Sequence, residues 1–204
     1  MSRWNHNIEY HRLIKDALRE LGPSEVLEVG CGDGVLAAEL VALCDRVTGL
    51  DPDVASLARA RAEVTSPNVR FVAGDLMADP FAPATFDAVV CVAALHHMDE
   101  GAALVRMASL VRPGGVLAVV GLARSSLPAD LPWESAGAVT TRILRRRHEG
   151  IWETEAPKVW PPPSTHRQVR RIAQARLPGV RHRRHVLWRY SLVWQRRSTR
   201  RTSA

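Results

Sequence analysis

VLEVGCGDGVLA, residues 26 to 37, decides the fold: a short apolar run passes through Glu28 into glycines 30, 32 and 34, then enters the helical stretch Val35 to Leu43. Glycine at alternate positions lets the backbone turn sharply and meet a ligand with no side chain between. The helix that follows presents unpaired N–H groups at the same place. On the loop alone, a strand-to-helix turn without a ligand stays open. A dinucleotide fingerprint needs its third glycine five positions after the first, where Val35 stands, so pyrophosphate binding is disfavoured.

Outward from this loop, strand and helix alternate. Arg46 to Leu50, Val69 to Ala73, Phe86 to Val92 and Val116 to Val120 read as strands; residues 53–64 and Gly101 to Val111 read as helices. Buried β-branched runs separated by amphipathic helices argue for a parallel sheet covered on both faces, with right-handed crossovers. Ahead of it, Tyr10, Leu13, Ile14, Ala17, Leu18 and Leu21 predict a helix over 5–21, ended by Gly22-Pro23.

Beyond Gly121 come a proline-bearing loop, a helix over Ser135 to Arg147, and a linker with Trp152, Trp160 and three prolines, together read as an inserted cap. A helix over 165–176 precedes two strand-like runs, Val180 to Leu187 and Tyr190 to Gln195, which must pair antiparallel. The expectation is one domain over 1–204: an N-terminal capping helix to 23, a core over 24–122, the cap over 123–164, and a last helix and strand pair over 165–204.

Composition narrows the classes. With 46% apolar and 24% charged residues in 204, the chain is of ordinary globular type. An uncharged run such as Ala88 to Met98 is far short of the roughly 20 residues of a membrane span, and Glu9, Arg12, Lys15 and Asp16 interrupt any secretory core. A cytoplasmic location with no membrane is expected. Cys31, Cys44 and Cys91 lack metal or disulfide spacing, so reduced thiols are expected and no metal site. The net charge of +7 hides a split, −7 over residues 1–141 and +14 over 142–204.

Four further elements follow the glycine loop. Asp51 in GLDPD, 21 residues after Gly30, is an acid able to accept both hydroxyls of a ribose, while Asp53 reads as the next helix cap. Gly74-Asp75-Leu76 follows the third strand; FDAVVCVAALHHMDE (86–100) and VRPGGVLAVVGL (111–122) complete the series. In this order they resemble the class I S-adenosylmethionine-dependent methyltransferases, whose first motif is an acid followed by G-x-G-x-G. Glu28, Gly30, Gly32 and Gly34 match it without a gap. The motifs cover residues 24–122, and the opening WNHNIEYH and the tail are similar to small bacterial, type-11-like members.

The resemblance implies a doubly wound α/β fold with a seven-stranded, mostly parallel sheet, and S-adenosyl-L-methionine at the carboxyl ends of its strands. It assigns Glu28, Gly30, Cys31, Gly32 and Gly34 to the glycine loop and methionine end, Asp51 and Pro52 to the ribose, Asp75 and Leu76 to the adenine, and the backbone near Val92 to the methionine part. It also implies that the N-terminal helix closes over the cofactor, making His6 and Tyr10 candidates for touching the acceptor.

His96 and His97 are the candidate proton acceptors, although neighbours on a turn point differently and at most one is expected to face the substrate. Trp133, Trp152 and Trp160 read either as an aromatic wall or as a docked linker. Cys91 lacks the preceding proline of cytosine methyltransferases, Val90 standing there, and reads as a buried thiol. Arg145 to Arg147 and Arg181 to Arg189 form a basic third, read as a solvated face or as a phosphate-contacting surface. The expected acceptor is a small molecule; an RNA methyltransferase, an NAD-dependent oxidoreductase and a cofactor-binding protein without activity are the rivals.

Overall fold

The computed structural model describes residues 5–78, 81–148 and 159–198. Trp4 and Trp152, and the part of the expected cap over 149–158, lie outside the described residues. Seven strands form one sheet in the order β3-β2-β1-β4-β5-β7-β6: β1 (Glu25–Val29), β2 (Arg46–Asp51), β3 (Val69–Ala73), β4 (Phe86–Val92), β5 (Val111–Leu122), β6 (Arg181–Arg184) and β7 (Arg189–Gln195). The first five pair in parallel; β7 runs antiparallel to both β5 and β6.

Period-two alternation sorts the central strands onto two cores. Leu27, Val89, Cys91, Leu117 and Val119 face one side, under α4 (Glu100–Leu110) and α6 (His166–Arg176). Val26, Ala88, Val90, Ala118 and Val120 face the other, under α1 (His11–Arg19) and α2 (Val35–Leu40). Both faces are thus covered, which is why these strands read as continuous apolar runs rather than as alternating ones. α3 (Val54–Glu63) lies on β2 and β3. Asp53 caps it as expected, accepting from Ala55 N and Ser56 N at 3.2 Å each.

Several boundaries differ from the periodicity. The first helix is shorter, a single 3₁₀ turn over Ile8–Tyr10 leading into α1. α5 (Leu131–Arg147) starts ahead of the expected Ser135, with Pro132 in its first turn, where the missing N–H costs nothing. β6 ends at Arg184 rather than continuing to Leu187, because Leu187 and Trp188 take positive φ (58° and 61°) and turn the chain into β7. That turn is held by Tyr10, whose hydroxyl donates to Val186 O at 2.6 Å.

Candidate functional site

In an open α/β sheet the ligand crevice lies beyond the carboxyl ends, where neighbouring connections diverge. Here β1 connects to β2 on one side and has β4 on the other. A cavity of about 670 Å³ sits at that place. Glu28 and the loop over 30–33 line it from β1, residues 51–53 from β2, and Val92, Ala93, Ala94, His96, His97 and Met98 from β4. Residues 5–8 and His11 contribute from the N-terminal segment, and Leu122, Arg145, Val159, Trp160 and Arg189 from the rest of the chain.

The glycine loop is built by opposite demands at its first two glycines. Gly30 (φ 72°) lies so near β4's exit that an added Cβ would fall 2.2 Å from that of Ala94. Gly32 (φ 49°) would meet nothing within 4 Å: its missing side chain leaves open space. The loop is tied to β2, with Gly30 N and Cys31 N donating to Leu50 O at 2.8 and 3.2 Å. Asp51 accepts from Gly32 N and from Asp53 N, each at 2.8 Å, one on each carboxylate oxygen. A carboxylate offers about four acceptor positions, so both oxygens keep capacity for a ligand. Ala93 holds a positive φ of 55° at the rim, a strained position for a residue with a Cβ.

Glu28 is buried, and its Oε2 has no hydrogen-bond partner. Burial, then the Asp51 charge, raises its pKa well above the carboxylate range, against the pull of the Ala37 N–H. Burial with the Glu28 and Asp51 charges raises the Cys31 thiol far out of the reactive range, and Cys91 is pushed up to about 12 mainly by burial. Both are inert thiols. No group of three metal-type side chains occurs among the described residues.

Both His96 and His97 line the cavity, their ring centroids 4.3 Å apart. The 3₁₀ turn Leu95–His97 brings the two rings together. His96 is buried with an unpartnered Nδ1, and burial, His97 and Arg189 lower its pKa to about 4. His97 is also lowered, by burial, with Asp51 opposing.

The N-terminal candidates separate. His6 lines the cavity, whereas Tyr10 is buried beneath it and its hydroxyl is committed to Val186 O. Tyr10 is therefore a packing residue, because the chain enters α1 at this point and turns the ring into the core. Asp75 and Leu76 are also absent from the lining. Leu76 is buried, and exposed Asp75 accepts from Met77 N at 2.9 Å beyond the tip of β3. Gly34 likewise faces inward, toward the Phe71 ring, rather than the cavity.

Of the tryptophans, Trp160 lines the cavity and stands edge-on to Trp188 at 6.4 Å. Trp133 instead stacks under the Arg184 guanidinium at 4.7 Å. The sequence reading missed Trp188 as a neighbour of the site; its indole N–H donates to Glu134 at 2.7 and 2.9 Å. It also missed Asn7, and it counted Arg189 as surface although only 6% of that residue is exposed. No local signal marks these three, since the contacts cross from one end of the chain to the other.

Residues 26–115 match the family described as Methyltransferase domain. An uncharacterised methyltransferase of Mycobacterium tuberculosis is 42% identical over 193 residues, covering 94% of this chain and 96% of the relative. A ubiquinone biosynthesis O-methyltransferase of Albidiferax ferrireducens is 34% identical over 132 residues, 61% of this chain and 52% of that protein. Among solved structures, the N-methyltransferase NodS of Bradyrhizobium japonicum in complex with S-adenosyl-L-homocysteine superposes with a TM-score of 0.61 at 19% identity. That alignment covers 93% of this chain and 86% of NodS, and at such identity it speaks to the fold alone. Likeness to a methyltransferase over nearly the full length of both chains makes this protein a member of the class I S-adenosylmethionine-dependent methyltransferases, an enzyme with S-adenosyl-L-methionine as its cofactor.

Proposed function

We propose that residues 1–204 act as one transferase domain that moves a methyl group from S-adenosylmethionine to a small-molecule acceptor lying under the N-terminal segment. The observation that carries this reading is the pairing of open space at Gly32 with an unpartnered, buried Glu28 oxygen in the same cavity. A backbone concavity beside a carboxyl group suits an amino-acid end carrying an ammonium. Asp51, with acceptor capacity left on both oxygens, suits a ribose diol. The chain's residues thus fit the cofactor.

When bound, S-adenosylmethionine supplies a methyl already activated on a cationic sulfur, so alignment with the acceptor furnishes most of the rate. Glu28, Gly30, Cys31, Gly32 and Val92 hold the methionine end, and Asp51 and Pro52 the ribose. Asp75, Leu76 and Gly34 act outside the cavity wall, the first two at the edge that an adenine would reach. His96, neutral at physiological pH and with Nδ1 unpartnered, receives or orients the acceptor's proton; its low basicity favours orientation. His97 and His6 complete the acceptor side.

A small acceptor is favoured over RNA by two observations. The cavity volume is in the range of small-molecule sites. Part of the basic third is spent internally: Arg184 pairs with Asp130, Arg189 is buried, and Arg196 donates to Ser109 O and Val111 O at 3.2 and 2.7 Å. The relative acting in ubiquinone biosynthesis is consistent with this class. Incubation with methyl-labelled cofactor and fractionated cell extract tests it: label is expected in small molecules, and label in RNA overturns it. Asp51→Ala is expected to weaken cofactor binding by about 1–3 kcal/mol through loss of charged hydrogen bonds; unchanged affinity by calorimetry removes Asp51 from the site.

A further inference from the structure

Arg189 is the first residue of β7, paired with Leu122 at the end of β5. Because β7 runs against the parallel strands, its first residue stands at the end of the sheet where theirs finish, beside the cavity that it helps to line. Only 6% of the residue is exposed. Nη1 donates to Leu187 O at 2.9 Å and Nη2 to Asn7 Oδ1 at 2.6 Å, while Nε has no partner. Among the described residues no carboxylate lies within ion-pair distance of it.

A buried guanidinium has five N–H donors and a charge that is costly to leave without an anion. The two neutral acceptors here use its geometry but not its charge. Burial lowers its pKa only to about 10, so it stays protonated at neutral pH. Its field reaches the neighbouring rings, lowering the basicity of both His6 and His96. The cavity is accordingly divided. Glu28, Asp33, Asp51 and Asp53 line it from the tips of β1 and β2 as an acidic side, whereas Arg189 and Arg145 line it from elsewhere in the chain, Arg189 near both His6 and His96 and Arg145 near His6. Asp33 is already engaged with Arg59 at 2.9 Å, and His11 with Glu39 at 3.2 Å.

We infer that Arg189 receives an oxyanion of the acceptor, so that the methylated substrate is an anionic small molecule carrying a carboxylate or a phosphate. This rests on the transferase reading above. The acidic side suits a cationic cofactor, and the guanidinium fork matches either oxyanion through paired hydrogen bonds. Asn7 and the Leu187 carbonyl fix the plane of the fork.

The test splits a small-molecule extract on an anion exchanger at about pH 7 and assays each part with labelled S-adenosylmethionine and the full-length enzyme. Transfer is expected with the retained fraction. Activity confined to the unretained fraction overturns the inference and leaves the transferase reading standing. No transfer to either fraction, with the cofactor bound in calorimetry, sinks the small-molecule reading and this inference together. Phosphatase treatment of the retained fraction separates the two sources: activity lost marks a phosphate, activity kept a carboxylate. In Arg189→Gln the transfer rate is expected to fall roughly tenfold or more, the loss of one charged contact, with cofactor affinity within about threefold of wild type. Arg189→Lys is expected to recover part of it. An undiminished rate in Arg189→Gln overturns the assignment; should that variant lose cofactor binding, the fractionation with wild-type enzyme decides alone.

Discussion

Glu28 occupies a strand position whose neighbours, Leu27 and Val29, are both core residues. An ionised carboxylate there would lack solvent, and burial and Asp51 together favour the protonated form. A glutamate in the unfolded chain ionises near pH 4.3, so raising the pKa of Glu28 in the native state costs stability at higher pH. Glu28→Gln removes that cost while keeping the shape, and its melting temperature at pH 7–8 is expected to equal or exceed wild type. The same substitution is expected to weaken the cofactor and to change the proton balance of binding. An ammonium brought beside Glu28 favours its ionisation, so the wild type should release a proton in calorimetry across buffers of different ionisation enthalpy. An identical proton count in Glu28→Gln would detach Glu28 from the ligand.

At the scale of the element, the β1–α2 loop separates folding from binding between two glycines. Gly30→Ala must push a methyl into Ala94, attached to backbone on both sides, and must also hold a left-handed conformation. Overpacking and the left-handed penalty together put its cost at about 3 kcal/mol. Gly32→Ala pays only the left-handed penalty of roughly 1–2 kcal/mol, since its new methyl meets open space. Thermal unfolding is expected to show a severe defect in the first and a modest one in the second. Calorimetry of the folded Gly32→Ala protein is expected to show cofactor affinity reduced roughly tenfold or more, the methyl filling the ligand's approach. Wild-type affinity in that variant would move the ligand away from the loop.

At the scale of the whole molecule, stability on the acid side depends on groups buried in the wrong charge state for low pH. His166, the first residue of α6, stands edge-on to Tyr190 at 6.3 Å, and burial with Arg184 lowers its pKa to about 4. Between about pH 6.5 and 4 the unfolded chain protonates this ring and the native state does not, so stability falls as pH falls through that window. His166→Gln removes the difference. Chemical denaturation is expected to show the variant gaining on wild type by up to about 1.4 kcal/mol per pH unit below 6.5. A constant gap between the two from pH 7 to 4.5 would refute it. Glu39 acts lower: burial raises its pKa, but hydrogen bonds from His11 and Lys15 outweigh burial and hold it at about 2. Its contribution is present above the unfolded value and lost as pH falls toward 2.

The sequence by itself determined the sheet and marked the glycine loop and the strand tip that line the cavity. Strands buried on both faces must be apolar throughout, and a bend that a ligand approaches must dispense with side chains, so both leave local marks: Val26 to Val29, Gly30 to Gly34, and Asp51 at the next strand end. Only the tertiary structure decided which residues from the two ends of the chain join that cavity. Tyr10 sits in an amphipathic pattern that does not say which aromatic turns inward, and the chain's packing commits it to Val186. Arg189 is one arginine in an arginine-rich tail until the reversal of β7 carries it to the cavity and sets it against Asn7, 182 positions away. Contacts of that span depend on strand direction and on how the two ends of the chain meet, and neither is encoded in any local spacing.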